Sequence, residues 1–135
     1  MLTLLALLAL SAAPEKVSWQ AWEPPGLCGT RGGGMPVLQE PQVDVTVIDA
    51  QNAAEYFAGC EVKVAWSKYR LVSLELVGSQ AWLKRLKSVR RIDGRIVIEL
   101  EILPICPTAD YAANASLGAW IRIPKGSEPV EAVLL

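Results

Sequence analysis

One stretch, "DGRIVIELEIL" at residues 93–103, constrains the fold more than any other part of this 135-residue chain. Asp93-Gly94 tolerates the positive φ of a two-residue hairpin turn, and beyond it Ile96, Ile98, Leu100 and Ile102 fall at every second position. That period places one strand face on a core and the other in water. The antiparallel partner is then the preceding run "AWLKRLKSVRR", residues 81–91. Trp82, Leu83, Leu86 and Val89 also fall at helical spacing with a basic opposite face, and the hairpin turn decides for a strand. In the hairpin register Arg90, Ser88 and Leu86 share a face with Val97, Glu99 and Glu101, where diagonal Arg–Glu pairs form.

Other strands follow from the same period. Val43, Val45 and Val47 alternate with Asp44 and Thr46; Val62, Val64 and Trp66 alternate with Glu61, Lys63 and Ala65; Val72, Leu74 and Leu76 alternate with Ser73 and Glu75. Residues 119–123 and 130–134 read as two more. Between the first two runs, "DAQNAAEYFAG" reads as a short helix, capped by Asp49 or by an Asn52–Glu55 capping box and stopped by Gly59. Tyr56 and Phe57 pin it to the core. The expected fold is a small β-rich α+β domain, antiparallel and sandwich-like with one short helix, over residues 43–135. An extended Pro/Gly-rich arm covers 14–42, and the length suits one core.

The first 13 residues, "MLTLLALLALSAA", form a short apolar run ending in small residues. They read as a signal peptide, which makes the chain periplasmic or secreted with no stable membrane anchor after cleavage. Cys28, Cys60 and Cys106 suit an exported chain with one disulfide and one thiol. All three pairings are open; Cys60 with Cys106 is preferred because Cys28 sits among glycines. Asn114-Ala115-Ser116 is a glycosylation sequon in a eukaryotic secretory route.

Net charge is −1, unevenly spread: residues 14–61 hold two bases against seven acids, and residues 62–95 hold nine bases against two. Lys84, Arg85, Lys87, Arg90, Arg91 and Arg95 form the densest run. They suit an acidic protein surface or an anionic polymer, or protect an edge strand from pairing. A nucleic-acid partner conflicts with export. Trp19 and Trp22, on the arm, need a dock on the domain or on a partner. The expected partner-binding set is therefore Arg90, Arg91, Arg95, Lys84, Lys87, Trp19 and Trp22.

The chain has no histidine, which removes the usual general base near neutral pH and the commonest metal ligand. No metal site and no cofactor are expected. The glycine-rich "GLCGTRGGGMP", residues 26–36, has no lysine and no following helix, and reads as a connector, not a phosphate loop. Glu99 and Glu101 share a strand face about 7 Å apart by strand rise, a separation that glycosidases use. An envelope glycan hydrolase is thus the alternative to a non-enzymatic binding domain.

The order of these pieces carries a resemblance. A Gly-rich opening, "VTVIDAQNAAEYFAGC", "VAWSKYRLVSLELVG", and "DGRIVIELEILPICP" running on to "GAWIRIPKG" together resemble the bacterial family of the protease complex subunit PrcB. The resemblance implies a compact β-rich domain of the cell envelope, with a non-catalytic role in stabilising or maturing a surface protease.

Overall fold

The computed structural model describes residues 14–26, 42–77, 81–104 and 118–135. The expected signal segment, most of the glycine-rich stretch, Cys28, Cys106 and the sequon lie outside the described residues. In chain order the elements are β1 (Glu15–Lys16), β2 (Gln20–Ala21), β3 (Gln42–Ile48), α1 (Ala53–Tyr56), β4 (Tyr69–Val77), β5 (Ala81–Ile92), β6 (Arg95–Pro104), β7 (Gly118–Pro124) and β8 (Val130–Leu134). They form two four-stranded sheets: the first in order β1-β5-β6-β8, the second β2-β7-β4-β3. All pairs are antiparallel except β6 with β8, which run parallel. The β-rich α+β class read from the alternation is the class observed.

The sheets bury their facing sides against each other. Ile96, Ile98, Leu100 and Val89 of the first sheet meet Val72, Leu74, Ile121 and Ile123 of the second, each almost without exposed surface. Burying such a side chain contributes roughly 1.5–3 kcal/mol, and this layer is the main source of stability. The arm takes part: β1 pairs with β5 and β2 with β7, so residues 15–21 cross from one sheet to the other. Val17, between the two short strands, is buried in the core and its N–H bonds the Val89 carbonyl.

The hairpin turn is as read: Asp93 has φ 50° and Gly94 φ 74°, the pair of positive values that a tight two-residue turn demands. The register of β5 differs from the simple alternation. Ser88 and Arg90 lie opposite Glu99 and Val97, but Arg85 faces Glu101 while Leu86 faces Leu100. Two register shifts, each leaving one residue without an opposite number, fall at Lys84 and Lys87. A bulge absorbs one extra residue per site. Two of them let Leu83, Leu86 and Val89, spaced by three, all reach the core. The spacing that resembled a helix is that of a twice-bulged strand.

The expected strand at 61–66 is absent; those residues form no ladder. Burial nonetheless alternates, with Val62, Val64 and Trp66 half-buried and Glu61, Lys63 and Ala65 exposed. The segment runs over the outer face of the second sheet, where Ile48, Leu71 and Phe57 form a second core with Trp22, Tyr56 and Trp120. Period two arises because one side lies on that core, although no neighbouring backbone among the described residues completes a sheet.

The helix is shorter than expected, and its capping differs from the box read in the sequence. Asp49 Oδ1 accepts from the N–H groups of Gln51 and Asn52, and Asn52 Oδ1 accepts from Asp49 N–H. Asn52 makes no side-chain cap bond to the helix itself. Asp49 and Asn52 thus tie the turn to each other, and Asn52 Nδ2 anchors it to the Val47 carbonyl.

Candidate functional site

Lys84, Arg85, Lys87 and Arg90 of the basic run lie on β5, and Arg95 with the acids Glu99 and Glu101 on β6; the hairpin register sets Arg85, Arg90, Arg95 and both acids on the outer face of the first sheet. Arg85 holds Glu101 in a two-pronged pair, Nε to Oε2 at 3.0 Å and Nη2 to Oε1 at 2.8 Å. Ser88 Oγ donates to Glu99 Oε1 at 2.6 Å, and Arg90 Nη2 approaches the same oxygen at 3.2 Å. Arg95 pairs with Glu131 of β8 at 3.0 Å, and Lys84 reaches Glu101 at 4.0 Å. These pairs are exposed and individually weak. Together they form a ladder of paired side chains across the face.

The electrostatics bear on the hydrolase alternative. The Ser88 hydroxyl, helped by Arg90 and Lys87, holds the Glu99 carboxyl below the usual carboxylate range. Arg85, with Lys84 and Lys87, does the same to Glu101. A glycosidase needs one of its two acids raised so that it keeps a proton at working pH. Both carboxyls here are shifted the other way.

Arg91 belongs elsewhere. It lies opposite Ile96, on the inner side, at the end of the sandwich. Its Nε donates to Glu128 Oε2 at 2.7 Å and its Nη1 to Glu15 Oε2 at 3.0 Å. From the second sheet Arg70, 4 % exposed, reaches the same carboxylate: Nη1 donates to the Glu128 carbonyl at 2.9 Å and Nη2 to its Oε1 at 3.3 Å. Burial pulls the Arg70 pKa down and Glu128 opposes the fall. Glu128, held by its own N–H and by Arg91, is pushed below the carboxylate range. Gly126 makes the arrangement possible, since a Cβ there would collide with the Glu128 carboxylate. The cluster closes one end of the core with charge.

Sequence reasoning missed Arg70 and Glu128. A signal existed for Arg70: it has the parity of Val72 and Leu74 in β4, so alternation places a cation on the buried side. Of the two arm tryptophans, Trp22 docks on the domain, with ring centroids 5.4 Å from Trp120 and 5.9 Å from Phe57. Trp19 is 38 % exposed. Cys60 is disulfide-bonded; both cysteines available to it, Cys28 and Cys106, lie outside the described residues, and so does the preferred pairing.

The fold and this face define a two-sheet sandwich with one wet, charged outer surface and one covered. No family model, no curated protein and no solved structure matches the chain.

Proposed function

We propose that this chain is an exported, non-catalytic domain that binds another protein and stabilises or assists a secreted or surface protease, meeting its partner with the outer face of the first sheet. One observation carries the choice of surface. Leu103, Val133 and Leu135 are 47 %, 43 % and 52 % exposed and share the face with the ion-pair ladder. Apolar contact area bordered by charge is the anatomy of a protein interface. Around it six cations (Lys16, Lys84, Arg85, Lys87, Arg90, Arg95) stand against three carboxylates (Glu99, Glu101, Glu131), an excess of three, which suits an acidic partner surface. The disulfide at Cys60 supports an oxidising compartment, and the PrcB-like layout points to a protease as partner.

The test is recovery of partners from the cell-envelope fraction by the wild-type chain and by a Lys84→Glu/Lys87→Glu variant. Both lysines occupy bulges and are exposed, so the variant keeps the fold. A protease recovered by the wild type and lost with the variant is the expected result. Equal recovery removes this face from the account, and recovery of glycan or another anionic polymer in place of protein assigns the face to a different ligand.

A further inference from the structure

Beside the Arg70–Glu128 cluster lies a cavity of about 450 Å³, lined by Asp49, Gln51, Trp66, Tyr69, Arg70 and Lys125 together with Gly126 and Ser127. It sits at the end of the sandwich, where the β3–α1 turn meets the β7–β8 connection. Two features make it more than a gap between loops. Arg70 lines it with a side chain only 5 % exposed, and its Nε–H is buried with no hydrogen-bond partner among the described residues. A buried donor left unmade costs about 1–3 kcal/mol, a cost that a native structure rarely bears without a use.

The second feature is the uneven hold on Glu128. Arg91 grips its Oε2 at 2.7 Å, whereas Arg70 Nη2 reaches Oε1 at 3.3 Å, longer than the roughly 2.7–2.9 Å of a strong charge-assisted bond. Nε and Nη2 form one edge of the guanidinium, the edge that takes a carboxylate with two parallel bonds. In this structure that edge holds only one long bond. For a ligand to take this edge Glu128 Oε1 must move off Nη2, and the Arg91 bond to Oε2 is what would keep its charge paired.

From this we infer that the cavity is a carboxylate-binding site: the Nε/Nη2 edge of Arg70 takes the ligand carboxylate, with Lys125 and the Ser127 hydroxyl beside it. Trp66 lines it with an aromatic surface, beside a Tyr69 ring that carries the Arg122 guanidinium 4.0 Å over one face, which suits a carboxylate borne on an apolar body, such as the end of a peptide chain. Among the described residues Asp49 is the one acid lining the cavity; the N–H groups of Gln51 and Asn52 bond its Oδ1, and its charge acts on Arg70. The site is independent of the partner face proposed above, at a different place on the molecule.

Amide NMR of the full chain tests this, with the Gly126 and Ser127 resonances as reporters. N-acetyl-phenylalanine should shift both and saturate, with a dissociation constant on the order of 1 mM for so small a ligand. Its carboxamide, which lacks the charge, should not. Lys125→Glu, an exposed change that spares the core, should weaken binding about tenfold or more, and Arg70→Lys, which keeps the charge but removes the fork, should weaken it further. If an aspartate side chain in a blocked dipeptide binds equally well, the site holds and reads carboxylates irrespective of source. Equal shifts from acid and carboxamide, tighter binding of inorganic phosphate, or binding unchanged in Lys125→Glu would each overturn the assignment.

Discussion

The two outer faces of this sandwich solve the same problem in opposite ways. On the first sheet the strand face is left to water and furnished with paired charges, Arg85 with Glu101 and Arg90 with Glu99. On the second, Leu71 and Ile48 point outward and are roofed by α1, the 61–66 segment and Trp22, so that both are fully buried. A sheet with one wet face is stabilised by its other side alone, whereas a sheet covered on both adds a second apolar layer. Stability should therefore be sensitive to change on the covered face and tolerant of it on the wet one.

The strongest way to break that contrast is Phe57→Ala. Phe57 is 4 % exposed and packs against Trp22, Tyr56 and Trp120 at centroid distances of 5.9, 5.1 and 5.8 Å. Emptying such a site costs about 3–5 kcal/mol, read as a drop in the urea midpoint at unchanged slope. A loss under about 1 kcal/mol would mean that the roof is a loose cover and not a second core.

A smaller effect sharpens the picture of the wet face. If Lys87 is a true bulge residue, its deletion gives a more regular β5 in which Leu86 still points inward and Ser88 outward. The deletion should cost no more than about 1 kcal/mol in chemical denaturation. Deleting Val97 from the regular partner strand instead inverts the faces of everything beyond it, turning Glu99 and Glu101 inward, and should abolish folding. If both deletions behave alike, Lys87 is not a bulge residue.

The same strand shows what was legible. β6 could be read outright, because one face is core, the other is water, and every residue is paired. β5 could be read as a strand only through its turn, since its bulges replace period two with period three. In 61–66 the reverse holds: period two was present and the ladder was not, because alternation reports which side is buried and says nothing about hydrogen-bonded neighbours. The Arg–Glu pairs of the wet face followed from the hairpin, apart from the shift that substitutes Arg85 for Leu86. The Arg70–Glu128–Arg91 cluster depends on residues 58 and 37 positions apart, brought together by the packing of the two sheets, and no local pattern encodes it.

The slightest differences concern acid. Glu99, Glu101 and Glu128 all have folded pKa values below the ordinary range. For a carboxyl so depressed the unfolded chain takes up protons first, so its contribution to stability is complete above about pH 5 and is lost as pH falls through roughly 4.3 toward the folded value. With no histidine in the sequence, stability should be level between about pH 5.5 and 7 and fall only below that window. The carboxylates differ in what they face: Glu128 balances a nearly buried arginine, while Glu99 and Glu101 face arginines open to solvent screening. Glu128→Gln should accordingly flatten the acid limb of a denaturation series more than Glu99→Gln and Glu101→Gln combined. Only for the wet-face pair should added salt erase the remaining difference. An acid limb governed by Glu99 and Glu101 would mean that the ladder on the open face holds the fold together, contrary to the division of labour between the two sheets.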